Sequence, residues 1–506
     1  MPVEAGAEGP EPSGPKVFLA GAAVVDVSPR TLPVIINGGF LEAKADTIHD
    51  PLSARGLVLD DGVTRLAIVV VDSCGLPREL VDVAKERARE TTGIPTDRML
   101  ISATHTHTAP AAIPALGSRA DPEYIKHLPG WIAEVIEKAA KNLTPARVGW
   151  ASVDDFEHTH CRRWIYRPDK MLTDPFGLRT VRANMHPGYQ NPDTVGPAGP
   201  VDPELSVLSV RGLDDRPIAL LANYSMHYFG AKAVSADYYG KFVRRMESRI
   251  GAIEGGPPFV AIMSQGTSGD QHWMDYGRPK TDLTMDRYAD AVARVAHLAY
   301  KTVTHREWVP LAMAEARLTL RRRIPDEDRL AWARRVAAEI GDRRPKSLPE
   351  VYALEQIALH EQPERELKIQ AIRIGDLGIA AIPDEVYALT GLKIKAQSPL
   401  PSTFNIGLAN GFEGYIPPPA QHKLGGYTTW PARSAALEVQ AEPKLTATVL
   451  DLLEKVSGKP RRVLRDEHGP YARRVLDAKP LAYWRLNEFD GLKALDATGN
   501  GRDGQY

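Results

Sequence analysis

Apolar and polar positions along the chain predict strands and helices in alternation. Residues 17–27 read as a strand closed by the turn Ser28-Pro29-Arg30. Residues 57–59, the turn Asp60-Asp61-Gly62 and residues 65–71 read as a hairpin, and its Leu-Ala-Ile-Val-Val-Val arm is apolar on both faces. Leu80, Val83, Ala84 and Ala88 fall at helical spacing over 79–92, and Gly93 supplies the stop. A short apolar strand at 99–102 then delivers the chain to Thr104-His105-Thr106-His107. Pro129-Gly130 is expected to break the next helical stretch, which resumes over 131–143. Strands follow at 205–210 and 218–224, and helices at 285–300, 326–340 and 348–360. Two more strands, 367–374 and 378–382, lead to a helix expected to start near Glu385, and a further helix follows Gln440. The pattern predicts an α/β fold, a large mixed-sheet body with helices on its faces. No repeat shows at periods of about 20 to 50 residues. Residues 163–203 have weak periodicity and much Pro, Gly, Asp and Arg, and they read as a long functional surface loop.

The ends of the chain differ from this body. Residues 1–16, rich in Pro, Gly and Glu, are expected to be disordered, and they lack the basic and apolar regions of a secretory signal. Removal of such a signal beforehand would point to a secreted or periplasmic chain. The body is expected to run over 17–456 and a linker over 457–480. Residues 481–506 change character: Tyr483-Trp484-Arg485-Leu486-Asn487-Glu488 and Asp496-Ala497-Thr498-Gly499-Asn500-Gly501 resemble the first strands of a laminin-G-like or concanavalin-like jelly roll. Such a module needs well over about 100 residues to close two sheets, so only its opening is expected here, the rest being truncated.

Composition narrows the function. With 63 basic and 64 acidic side chains the chain carries no global field for nucleic acid or anionic membrane. No apolar run reaches the roughly 18 to 20 residues that span a bilayer. Cys74 and Cys161 are the only cysteines, which excludes a disulfide framework and a cysteine zinc ribbon.

Histidines carry the candidate chemistry instead. In an extended segment, residues i and i+2 share a face, so His105 and His107 can point into one pocket. Neutral imidazole is the commonest zinc ligand, and a strand end is a rigid support. Glu157-His158-Thr159-His160 has the same spacing in a polar context and reads as an ordinary surface pair. His227 ends the strand at 218–224 as the first pair ends its own. Ser264-Gln265-Gly266-Thr267-Ser268-Gly269-Asp270 also follows an apolar run, and its glycines are expected to offer backbone N–H donors to a developing negative charge.

These segments, with Pro383-Asp384-Glu385, Gly414-Tyr415-Ile416 and Gly425-Gly426-Tyr427, resemble the catalytic domain of neutral/alkaline ceramidases over about residues 17–455. The resemblance implies a zinc ion held by His105, His227, Glu385 and Tyr415. It implies substrate contacts from His107, Tyr427 and Arg162 (or its neighbour Arg163). One departure stands out. The family's Gly-Asp-Val-Ser-Pro-Asn reads Gly269-Asp270-Gln271-His272-Trp273-Met274 here, so His272 replaces a reaction-centre serine and puts ceramide itself in doubt. His272 becomes a candidate acid, base or head-group ligand.

Two neutral histidines, a carboxylate and a protonated phenol would leave zinc with a net charge of about +1, a useful Lewis acid. The leading expectation is a zinc-dependent hydrolase that attacks an N-acyl amide or related bond with metal-activated water. The alternative is a glycan-active zinc enzyme, a polysaccharide lyase or glycosidase, with Trp164, Tyr166, Arg167, Trp273 and Tyr276 near the site. A third reading is a non-catalytic binding module on a degenerate enzyme fold. The expected partner is a small-molecule lipid or glycan substrate.

Overall fold

The computed structural model describes residues 16–251, 258–463, 468–488 and 493–505. Nearly all of the N-terminal segment, the charged residues 464–467 and Tyr506 lie outside the described residues. Twelve strands form the body, β1 (Leu19–Asp26), β2 (Ser53–Asp60), β3 (Arg65–Val71), β4 (Met99–Ala103), β5 (Thr144–Asp154), β6 (Glu204–Gly212), β7 (Pro217–Tyr224), β8 (Val260–Gln265), β9 (Leu311–Arg321), β10 (Glu364–Ile374), β11 (Leu377–Ala381) and β12 (Ser402–Ile406). The first eight make one sheet in the order β8-β7-β6-β5-β1-β2-β3-β4, and the last four make a second sheet in chain order.

The topology resolves into three units of one design. In each, three strands pair antiparallel in succession, a helix crosses over, and a fourth strand pairs parallel to the third. A second helix closes the unit. The helices are Arg78–Thr92 and Pro122–Lys141, then Asp237–Ile250 and Met285–Lys301, then Ala388–Gln397 and Ala441–Ser457. Each unit is far longer than the periods that reveal sequence repeats, and each carries different insertions.

Alternation along β3 explains how the units stack. Ala67, Val69 and Val71 face the helices of the first unit, while Leu66, Ile68 and Val70 face a core shared by all three. That shared core adds Leu221 and Ile262 from the second unit and Ile372, Ile379 and Phe404 from the third. Truncating Ile68, which is fully buried, to alanine opens a cavity between two sheets at a cost of about 2–5 kcal/mol.

Several sequence expectations are corrected. The helix Pro122–Lys141 runs unbroken through Pro129. Tyr124, Leu128, Ile132, Val135 and Ile136 keep one buried stripe across the proline, and that packing offsets the lost backbone bond. Residues 163–203 are not a plain loop. Arg163–Tyr166, Ala183–Met185 and Thr194–Pro197 form a three-stranded sheet inserted between β5 and β6. Glu385 does not begin a helix but a two-residue strand, and the helix starts at Ala388. Within the expected linker, Pro470–Asp477 is helical. Near the C-terminus, Lys493–Ala494 pairs with Gly504–Gln505, and the Trp484 indole N–H donates to the Arg502 carbonyl. Among the described residues no helix is long and apolar enough to cross a membrane.

Candidate metal centre

Each unit sends one side chain to the same point. His105 follows β4, His227 follows β7 by three residues, and Glu385 follows β11 by four. The backbone N–H of His105 donates to the Ser73 carbonyl, and its φ of 79° swings the side chain inward. His105 Nε2 lies 3.0 Å from His227 Nε2 and 3.2 Å from Glu385 Oε2, and the third edge, His227 Nε2 to Glu385 Oε2, is 3.4 Å. Four ligands arranged tetrahedrally about zinc at 2.0–2.2 Å stand about 3.3–3.6 Å apart, so this triangle is within a few tenths of an ångström of a zinc site.

The tautomers agree. A carbonyl only accepts, so His105 Nδ1 must donate to the Cys74 carbonyl (2.5 Å) and His227 Nδ1 to the Ser268 carbonyl (3.1 Å). Both rings therefore present an Nε2 lone pair to the centre, as metal-binding histidines do. While both Nε2 atoms carry lone pairs, Glu385 Oε2 is a buried acceptor with no donor among the described residues, and a cation would satisfy it. Without a metal, burial opposes charge on His105, but the Glu385 carboxylate prevails and carries its pKa up to about 10. Burial, then Arg162, then His105 push His227 well below the usual imidazole range. The pocket thus holds one proton where it could hold one metal ion.

Glu385 and Tyr415 are register partners in a parallel two-residue pair, which brings the phenol beside the carboxylate. Only glycine fits before it: a Cβ on Gly414, at φ 85°, would lie 2.0 Å from the Ser434 backbone. Tyr415 hydroxyl accepts from Arg162 Nη2 at 3.0 Å, and burial holds the phenol well above its usual pKa. Arg162, not Arg163, faces the centre. Its Nη2 also reaches His227 Nε2 at 3.0 Å and the Gly269 carbonyl at 2.9 Å. Arg163 turns away to bind Gln421 and the Gly425 carbonyl, clamping the loop that carries Tyr427. Tyr427 meets Tyr415 edge-on at 5.8 Å. His107 Nε2 lies 3.1 Å from His105 Nε2, and its ring stacks on Tyr228 at 3.7 Å.

Two expectations change here. The two glycines of the loop do not offer free donors, because Gly266 N–H is bound by the Tyr224 carbonyl and Gly269 N–H by the Val386 carbonyl. Its glycines serve close packing instead: a Cβ on Gly269 would lie 2.5 Å from the Glu385 carbonyl. His272 is buried one layer behind Tyr228 and His186, with ring centroids 5.2 and 5.1 Å away, and does not line the cavity.

Among the cavity residues that the sequence reading did not mark are Tyr228, Cys74 and His186. Tyr228 is the neighbour of His227. Cys74 follows β3 as His227 follows β7, a correspondence visible only once the units are aligned. With His105 and His107 it forms a second possible ligand group, but His105 Nδ1 is committed to the Cys74 carbonyl, which leaves one nitrogen for one ion. His186 accepts from Arg162 Nη1 at 3.3 Å and meets the Tyr276 hydroxyl at 2.5 Å. It follows the short strand Ala183–Met185 in the segment of weak periodicity, and no sequence signal marked it.

The cavity above the centre has a volume of about 210 Å³. Its lining combines polar residues (His107, Arg162, His186, Tyr228, Tyr415, Tyr427) with apolar ones (Phe40, Ile113, Ala115, Leu116, Phe412). Trp164, Tyr166, Arg167 and Trp273 are absent from this lining, and Tyr276 reaches the site through His186.

No protein-family model matches the sequence, and no curated protein does. Solved structures do. A neutral ceramidase from Pseudomonas aeruginosa superposes with a TM-score of 0.65 at 16% identity, covering 91% of this chain and 78% of that one. A ceramidase complexed with C2 superposes with a TM-score of 0.65 at 15% identity, covering 89% and 77%. The chain has a neutral-ceramidase-like fold with a candidate His/Glu metal site at the meeting point of its three units.

Proposed function

We propose that this chain is a zinc-dependent hydrolase of N-acyl amide or closely related bonds. The observation that carries the reading is the His105–His227–Glu385 triangle, whose edges suit zinc and whose carboxylate oxygen is otherwise unpartnered. His105, His227, Glu385 and Tyr415 would hold the ion. When bound, zinc supplies a Lewis acid that polarises a carbonyl and makes water acidic near neutral pH. The residues around it have separable tasks. His107 Nε2, aimed at the centre, takes the proton from the attacking water and returns it to the departing nitrogen. Tyr427 stabilises the oxyanion that forms on the acyl carbon, and Arg162 orients a polar group of the substrate. The water oxygen bonds to that carbon, the C–N bond breaks, and the products are a carboxylate and an amine. The apolar lining residues and the absence of tryptophan from the cavity favour an acyl group over a sugar ring. The test is hydrolysis of a panel of N-acyl compounds by purified protein with and without zinc, set against uronate polysaccharides and aryl glycosides. Zinc-dependent release of amine supports the proposal, and turnover of glycans alone would replace it.

A further inference from the structure

Arg162 is 1% exposed, yet no carboxylate oxygen among the described residues lies within 4.0 Å of its guanidinium. Its contacts are neutral, namely His186, His227, Tyr415 and a backbone carbonyl, and its buried Nε has no partner at all. A buried charge left this way is costly, and it is normally neutralised by something. Asp270, the carboxylate behind it, is turned to the Ala388 N–H and the Gln271 amide. Among the residues lining the cavity, Arg162 and Glu385 are the only Arg, Lys, Asp or Glu. A divalent ion on the His105–His227–Glu385 triangle would therefore bring the cavity wall to about +2. A planar anion is the natural partner for donors so placed.

Size narrows the ligand further. A cavity of about 210 Å³ is smaller than the roughly 300–1,000 Å³ of sites for drug-sized ligands. Three of its apolar residues, Ile113, Ala115 and Phe412, also line a neighbouring cavity of about 380 Å³ whose other residues include Arg322, Arg365, Arg433, Glu79, Glu361 and Glu413. A long alkyl chain extended past those three residues would meet charges.

We infer that the substrate is a compact N-acyl compound bearing a carboxylate, with a short acyl group against Phe40, Ile113 and Phe412 and the carboxylate on Arg162. His186, held between Arg162 and Tyr276, is the positioning residue for that guanidinium. The inference rests on the amidase reading, and the experiment separates the two in two arms. In the first, propionate and propionamide are titrated calorimetrically into chelator-treated protein, where no metal can bind the anion. Propionate should bind at least about tenfold tighter, and Arg162→Gln should abolish the difference. If that variant fails to fold by near-ultraviolet circular dichroism, Arg162→Lys, which keeps the charge and loses the fork, should retain a weakened preference. Equal binding of the two ligands overturns the inference. In the second arm, zinc-loaded enzyme is given N-butyrylglycine, N-butyrylglycinamide and N-palmitoylglycine. The first should exceed each of the others at least about tenfold in kcat/KM. Preference for the amide or the long chain overturns the inference while the amidase reading stands. Propionate binding without cleavage of any amide supports the carboxylate subsite and overturns the amidase reading.

Discussion

Two segments of this chain share the tripeptide His-Thr-His and have different fates. Thr104-His105-Thr106-His107 and Glu157-His158-Thr159-His160 both place histidines two apart. The first follows a buried parallel strand at the point where three units meet, and its imidazoles face two other strand ends. The second lies in the long insertion after β5. There His158 Nδ1 is held by Asp155 at 2.8 Å, and the half-buried His160 reaches the backbone of Glu157 at 3.2 Å. Spacing puts two imidazoles on one face. Only convergence of independent backbone segments turns them into a site.

The sharpest way to break this contrast is to remove the convergent ligands. His105→Ala or His227→Ala should abolish bound metal and lower activity at least about a thousandfold, a loss of several kcal/mol of transition-state stabilisation. Metal content and kcat/KM check it, and retention of the ion in either variant would dissolve the distinction. Removing His107 should cost about a hundredfold in kcat and leave metal content unchanged, since this ring is assigned to proton transfer. Equal metal loss would make it a ligand.

Glycine substitutions sharpen the comparison further, because they test backbone approach instead of ligand chemistry. A Cβ on Gly269 must push the Glu385 backbone, so Gly269→Ala should weaken metal affinity about 10- to 100-fold, as measured by competition with a chelating dye. A Cβ on Gly38, where φ is 109°, would lie 2.6 Å from His107. Gly38→Ala should therefore lower kcat about tenfold while metal affinity holds, a split that a general packing defect would not produce. The smallest effect belongs to the second pair. His158→Ala should lose about 1 kcal/mol of stability with its partner Asp155, seen as a small shift in Tm, and His160→Ala should be silent.

How far the sequence carried follows the same logic. The hairpin of β2 and β3, the strand before His105 and the strand before His227 were legible, because their apolar runs end at turn residues. β5 and β9 were not, since burial alternates irregularly along each, and the helix Asp237–Ile250 hid behind its charged exposed face. Glu385 and Tyr415 came from family resemblance alone. Nothing local says that residues 385–386 and 415–416 pair, because the link spans some 30 residues and rests on a backbone turn at Asp384 with φ 77°. His186 was invisible for a similar reason: its partners Arg162 and Tyr276 are remote in sequence, and hydrogen bonds of that kind leave no periodicity.

The most direct test is elemental analysis of protein purified without added metal, run side by side on the unaltered chain, His105→Ala and the His158→Ala/His160→Ala double variant. The prediction is about one zinc per chain in the first and third and less than about a tenth in the second. Zinc that survives in His105→Ala, or that leaves with His158 and His160, would contradict the account.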